Sequence, residues 1–194
     1  MLKERIQQYV KDENGAIFPE ERAYLQKQQL SVEDLPAAEN PADRFKDAYL
    51  ERCNKETEEL IAAENFSFLN EPITYLQKHK SEFLYIESKW FELVGADAVS
   101  LESDDVFGTY DVMLGLKLQK RFQKTVQAFL NQHLNGSEPK FDLLFSQEDG
   151  LWNLNFALNY VPGFKEDMSI NGACRLVYRL LFQLAVEVEE KGKQ

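Results

Sequence analysis

Four carboxylates between residues 102 and 111 are the residues whose types and spacing best suit catalysis or metal binding. They are Glu102, Asp104, Asp105 and Asp111. Clustered carboxylates can hold magnesium or calcium, or act as a general acid and base pair. However, the group lacks the alternating Asp/Asn pattern and the glycine of a calcium loop. Acidic residues at a helix start are also expected from their favourable interaction with the helix dipole. A metal site at these residues is therefore one hypothesis, and a plain helix start is the other.

The common catalytic and cofactor-binding motifs are missing from the sequence. The nine glycines are scattered, without GxGxxG or GxxxxGK spacing, and no Gly-x-Ser-x-Gly occurs. His79 and His133 lie outside HExxH, and we interpret both as surface groups. Cys53 and Cys174 are too far apart for a zinc knuckle, so we interpret them as buried, inert thiols. We expect no cofactor, and these absences favour a protein that is not an enzyme.

The charge of the chain restricts its partners. Aspartates and glutamates number 33 against 22 lysines and arginines, which gives a formal net charge of -11. Such a field repels phosphate backbones and anionic lipid surfaces, so we expect neither a nucleic acid nor a membrane as partner. The N-terminal residues are charged where a secretory peptide is apolar, and no stretch approaches the roughly 20 apolar residues of a membrane span. We therefore expect a cytoplasmic protein.

Residues 141–161 predict a β-hairpin, and this segment decides the expected fold class. Its second half alternates large apolar residues with short, mostly polar ones, which places the two sets on opposite faces of a strand. The apolar set is Trp152, Leu154, Phe156, Leu158 and Tyr160. Asn153, Asn155 and Asn159 lie between them and would present an uncharged hydrogen-bonding surface to water.

Spacing elsewhere in the chain predicts helices. Residues 1–35 predict a helical N-terminal arm, and residues 40–194 predict a single α+β domain. The segments Asn40-Pro41 and Asn70-Glu71-Pro72 predict two helix starts, each followed by apolar residues at helical spacing. The second run is ambiguous, because residues 83–94 are also rich in aromatic and branched residues, as strands are. From Phe107 to Phe129 apolar residues recur every three or four positions, which predicts a long central helix.

A final helix is predicted from about residue 169 to 190, and it is apolar almost all round. Its narrow polar stripe includes Arg175 and Arg179. Such a helix has to be packed on several sides, either within the chain or at a subunit interface. The usual organisation of a single domain favours packing within the chain.

These patterns together predict an α+β fold. It consists of a short antiparallel sheet with a C-terminal hairpin (about 141–161), packed against long helices, and a helical N-terminal arm. We expect a non-catalytic module that binds or regulates a protein partner, or associates with itself. Its candidate surface is formed by Asn153, Asn155, Asn159, Arg175 and Arg179. Two alternatives stay open: a small metal-assisted enzyme that uses the carboxylates near 102–111, and a homodimer that binds a small ligand.

Overall fold

A computed structural model describes residues 2–13, 15–137 and 139–192, without the side chains of residues 12 and 13. Over these residues the fold is α+β, as the sequence predicts, with six α-helices, seven strands and short 3-10 helices between them. The helices are α1 (Leu2–Glu13), α2 (Pro19–Lys27), α3 (Tyr75–Lys78), α4 (Lys89–Val94), α5 (Gln123–His133) and α6 (Ile170–Lys191). The strands are β1 (Tyr49–Asn54), β2 (Leu60–Glu64), β3 (Glu82–Glu87), β4 (Ala96–Ser103), β5 (Tyr110–Leu116), β6 (Phe141–Ser146) and β7 (Leu151–Ala157).

All seven strands belong to one sheet, in the order β2-β1-β3-β4-β5-β7-β6. Every neighbouring pair is antiparallel. Two connections skip a strand: the segment containing α3 passes β1 to join β2 to β3, and α5 passes β7 to join β5 to β6. The strands β2 and β6 therefore form the two edges of the sheet.

The prediction of a short sheet is wrong, because two of the predicted helices contain strands. Residues 45–61 form the end of a 3-10 helix (Pro41–Phe45), then β1 and part of β2. The predicted central helix is β5 followed by the shorter α5. Apolar residues spaced by four fit one helix face, but they also fit one strand face, since four is a multiple of the strand period of two. In β5 the buried positions alternate strictly, which is the strand pattern.

The ambiguous segment, residues 83–94, contains both kinds of element. Its first residues lie in β3 and its last form α4. Ser88 separates the two, because its side-chain oxygen accepts a hydrogen bond from the backbone N–H of Trp90 at the start of α4. Gly95 ends α4 with a φ of 90°, a conformation that glycine adopts without strain. The helix predicted from about residue 70 is reduced to α3.

The C-terminal hairpin is confirmed in part. Strands β6 and β7 form it, and Trp152, Leu154 and Phe156 of β7 are buried. However, β7 ends at Ala157, and Leu158 and Tyr160, which the sequence pattern predicts as its continuation, lie in a 3-10 helix. The helix α6 begins after Ser169, whose side chain accepts a hydrogen bond from the backbone N–H of Gly172. Most of its apolar residues are buried within this one chain, and it contacts α1, α4 and α5. None of the helices in the described ranges, α6 included, has the length and apolar character needed to cross a bilayer.

The two faces of the sheet differ in burial. One face contributes alternate, fully buried residues such as Leu84, Val99 and Val112 to the same apolar core as α6. The register of the strands places the intervening residues on the opposite face, which we call the uncovered face, and apart from Cys53 they are exposed or half-buried. Its residues are Tyr49, Glu51, Cys53, Leu60, Ala63, Phe83, Tyr85, Glu87, Ala98, Ser100, Glu102, Asp111, Met113, Gly115, Asp142, Leu144, Ser146, Leu151, Asn153, Asn155 and Ala157.

A buried charge cluster, formed by Glu21, Arg44 and Tyr178, joins the N-terminal arm to the rest of the molecule. The Glu21 carboxylate accepts hydrogen bonds from Arg44 Nη1 at 2.8 Å, from the Tyr178 hydroxyl and from the backbone N–H of Phe18. The Arg44 guanidinium lies 4.1, 4.7 and 4.0 Å from the ring centroids of Phe18, Trp90 and Tyr178. Cation–π contacts and hydrogen bonds thus replace the water that both charges lose on burial.

We predict that replacing Arg44 by methionine lowers the free energy of unfolding by about 3–5 kcal/mol, because it leaves the Glu21 carboxylate buried without its cation. Urea denaturation measures the change. The matched control is Arg179→Met, which removes an exposed arginine 3.9 Å from Glu20 and should cost less than about 1 kcal/mol. Equal losses in the two variants would contradict a structural role for the buried charge cluster.

Candidate functional site

The uncovered face is negatively charged. Glu51, Glu87, Glu102, Asp111 and Asp142 lie on it, and the strand residues of this face include no lysine or arginine. The fixed carboxylates therefore set the sign of the electric field above the sheet.

Arg52 is the basic residue of the seven strands, and it faces the helical side. Its guanidinium lies 2.8 Å from Glu64 and 2.9 Å from Glu82, and it donates a hydrogen bond to the hydroxyl of Tyr75 near α3. It therefore compensates none of the carboxylates on the uncovered face.

Two of these carboxylates, Glu102 and Asp111, stand directly opposite each other on β4 and β5. Burial raises the pKa of Asp111, and the negative charges of Asp104 and Glu102 raise it further. Lys55 lies 3.3 Å from Glu102 and compensates part of this repulsion. A further positive charge beside this pair would therefore reduce the remaining repulsion.

The four carboxylates of the predicted metal site lie in and beside the β4–β5 hairpin. The plain interpretation of a helix start is wrong, since no helix begins there. The Asp104 side chain accepts hydrogen bonds from the backbone N–H groups of Val106 and Phe107 and so shapes the turn, whereas Asp105 is exposed. Within the described ranges, no group of three or more His, Cys, Asp and Glu residues is arranged to hold a metal ion. A metal site here stays a prediction without geometric support.

The predicted partner surface is divided between two sides of the molecule. Asn153 and Asn155 are exposed on the uncovered face. Asn159 lies in a 3-10 helix after β7, and its side-chain oxygen accepts a hydrogen bond from the backbone N–H of Tyr110 at 2.8 Å. Arg175 and Arg179 lie on α6, in the helical layer. A partner on the sheet could therefore contact the first two asparagines but not the arginines.

The hairpin between β4 and β5 carries an exposed apolar tip, formed by Val106 and Phe107. These side chains are 81% and 83% exposed. The turn beneath them is held by Asp104 and by a hydrogen bond from the Asp104 N–H to the carbonyl of Thr109. A fixed backbone that presents two large apolar side chains to water is typical of an anchor for a protein partner.

The histidines and cysteines show no arrangement for catalysis. In each histidine, Nδ1 lies 2.9 Å from the carbonyl oxygen four residues earlier, and the ring stacks on an aromatic neighbour, Tyr75 for His79 and Phe129 for His133. Burial raises the pKa of Cys174 to about 12, and burial with the nearby Glu51 raises that of Cys53. Both thiols are therefore protonated at neutral pH, the opposite of an activated nucleophile.

A cleft of about 470 Å³ lies between the N-terminal arm and the body of the molecule. Aromatic rings of Tyr9, Phe18 and Trp90 line part of it, and Arg44 lies at its wall. Because Arg44 is already paired with Glu20 and Glu21, an anionic ligand would have to compete with two carboxylates for it. The cleft therefore gives little support to a small anionic ligand.

Sequence reasoning missed the aromatic and acidic residues that β1 and β3 place on the uncovered face. Tyr49 and Glu51 fell in a predicted helix, and Tyr85 and Glu87 fell in the ambiguous segment. The signal that could have found them is the alternation itself, since in each strand a tyrosine is followed two residues later by a glutamate.

Comparison of the chain with models of known protein families, with curated proteins and with solved structures gave no match. The function is therefore inferred from the surface of the molecule.

We predict that Asp111→Asn raises the melting temperature at neutral pH. The pKa of Asp111 is higher in the folded chain than its ordinary value of 3.8, so the folded state holds the proton more tightly and loses stability when the group ionises. The gain should shrink as the pH falls and vanish below 3.8, where the carboxyl is neutral in the folded and unfolded chain alike.

Thermal unfolding followed by circular dichroism across this pH range provides the measurement. Asp142→Asn is the control, since it removes one charge from the same face at an exposed edge position. A melting temperature that drops at neutral pH, or a gain of equal size at every pH, would contradict the assigned repulsion.

Proposed function

We propose that this protein is a non-catalytic module that binds a protein partner through the uncovered face of its sheet. The observation that carries the proposal is the composition of that face. Antiparallel sheets often expose one face to water, and such a face is usually polar. Here it also bears large apolar and aromatic side chains, among them Tyr49, Leu60, Phe83, Tyr85 and Leu144. Aromatic residues and methionine are enriched where proteins bind each other.

The dimensions of the face also suit a protein partner. Neighbouring strands lie about 4.8 Å apart, so the seven strands span about 30 Å, and six residues of strand extend about 20 Å. The resulting area, about 600 Å², approaches the roughly 800 Å² per partner that a stable protein interface buries. A small molecule would instead need a concave site that encloses most of its surface.

The apolar tip of the β4–β5 hairpin lies beside this surface, at one end of the sheet. It follows Glu102 along the chain and precedes Asp111, both of which lie on the uncovered face. A partner that covers the carboxylate pair can therefore reach Phe107, and an aromatic anchor at the edge of such a surface supports binding to a pocket on the partner.

We predict that a photoreactive benzophenone side chain in place of Leu144 captures one recurrent protein in cells that naturally make this chain. Leu144 is 61% exposed at the edge of the uncovered face, so a partner on that face passes close to it. The matched control places the same group at Gln183, which is exposed on α6. Mass spectrometry identifies the products. Capture only at position 183, or the same products at both positions, would contradict binding at the sheet.

We also predict that Phe107→Ser weakens binding of the protein captured at position 144 by about tenfold or more, because truncating an aromatic anchor typically costs at least 1.4 kcal/mol. The stability of the folded chain should change by less than about 0.5 kcal/mol, since the side chain is exposed. Gln147→Ser, in the exposed β6–β7 turn, is the control. Isothermal titration calorimetry compares the variants, and unchanged affinity would remove the tip from the interface.

A further inference from the structure

Four residues on β1 and β3 form a compact Tyr/Glu block on the uncovered face: Tyr49, Glu51, Tyr85 and Glu87. The register places Tyr49 opposite Glu87, and Glu51 opposite Tyr85. Along each strand the tyrosine hydroxyl donates a hydrogen bond to the glutamate two residues later, from Tyr49 to Glu51 and from Tyr85 to Glu87. In this block each tyrosine ring therefore has one glutamate two residues later on its own strand and another directly opposite on the neighbouring strand.

The carboxylates of the block have hydrogen-bonding capacity left, and neither forms a salt bridge with a cationic side chain among the described residues. Each accepts a hydrogen bond from one phenol, which leaves acceptor capacity on the same group, since an ionised carboxylate has about four lone-pair sites. No salt bridge to Glu51 or Glu87 occurs in the described part of the chain. Burial and the hydrogen bond to Glu87 raise the pKa of Tyr85 to about 12, and the hydrogen bond to Glu51 raises that of Tyr49, so both phenols stay neutral.

From this geometry we infer that the Tyr/Glu block binds arginine side chains of a cationic protein partner. The inference rests on the proposed function and specifies the chemistry of the partner. A planar guanidinium can stack on a tyrosine ring while its N–H groups form a fork to the adjacent carboxylate. The compact ammonium of lysine can use the carboxylate but matches the ring and the fork less well. The block therefore favours arginine over lysine.

The charge of the whole face supports a cationic partner and disfavours the other occupants. A second copy of the chain would bring carboxylates against carboxylates, because the strand residues of this face include no basic residue. Nucleic acid and anionic lipid are repelled for the same reason. An arginine-rich protein surface gains from the block, and it also relieves the repulsion between Glu102 and Asp111.

Fluorescence anisotropy with two labelled peptides of equal length tests the inference. One peptide is a repeat of arginine and glycine, and the other has lysine in place of each arginine. We expect the purified protein to bind the arginine peptide about fivefold or more tightly than the lysine peptide, and both more weakly as salt is added. Equal affinity for the two peptides would overturn an arginine site and would indicate only a general attraction of cations to an acidic surface.

Variants localise the binding. In Glu51→Gln/Glu87→Gln, affinity for the arginine peptide should fall about tenfold. The control, Glu33→Gln/Asp34→Asn, removes two exposed charges outside the sheet and should change affinity less than about twofold. In Tyr49→Thr the preference for arginine should shrink while lysine binding persists. Equal losses in the block and control variants would contradict the assignment. Circular dichroism establishes that each variant is folded.

The outcomes separate this inference from the proposed function. If neither peptide binds, or if the block variants bind like the unmodified protein, the arginine site is wrong. Photocapture at Leu144 then still decides whether a protein partner uses the uncovered face. If capture at Leu144 also gives no recurrent product, both the site and the proposed function are wrong.

Discussion

The structure depends on burying the Glu21–Arg44 ion pair without leaving either charge unsatisfied. Removing two charges from water is expensive, and the Coulomb attraction between them repays it only when hydrogen bonds and polarisable neighbours complete both groups. Here the Tyr178 hydroxyl and the backbone N–H of Phe18 donate hydrogen bonds to the Glu21 carboxylate. Three aromatic rings surround the Arg44 guanidinium. The two charged residues and these partners come from α2 with the residue before it, the 3-10 helix before β1, α4 and α6. One interaction thus joins four segments that are distant in sequence.

This constraint explains why the two sides of the sheet differ. The N-terminal arm is held against α6, where Tyr24 packs on Phe182 and donates a hydrogen bond to Glu189. The arm and α6 therefore bury each other on the helical side, and the second face of the sheet is left to solvent. The strands place their single arginine on the helical side, paired with glutamates, and place carboxylates but no basic residue of their own on the other side. A surface with aromatic rings and one sign of charge is suited to a cationic protein partner.

The sequence predicts those elements whose apolar pattern fits either the two-residue repeat of a strand or the 3.6-residue repeat of a helix, but not both. The hairpin of β6 and β7 alternates every second residue, and α6 is too long and too apolar for a strand, so both elements occur, although β7 is shorter than predicted. It misassigns β1 and β5, where apolar residues four apart fit helix and strand equally. Neighbours in the sheet decide between the two, and these lie far away in sequence.

The same limit applies to the site. The placement of Asn153 and Asn155 on the exposed side of a strand follows from the sequence alternation, whereas the Tyr/Glu block requires knowing that β1 pairs with β3. The buried partners of Arg44 carry no local signal either.

The central claim is that the uncovered face is the binding surface and that its ligand is cationic. Methyl-labelled methionine NMR during a titration with the arginine–glycine peptide tests it most directly, because two methionines report on opposite sides. Met113 lies on the uncovered face, in the same cross-strand row as Glu51 and Tyr85, whereas Met168 packs against the apolar core just before α6. If the peptide binds the uncovered face, the Met113 methyl signal should shift until the site is saturated with peptide, while the Met168 signal stays in place. A shift of Met168 alone, or no shift of either signal, would contradict it.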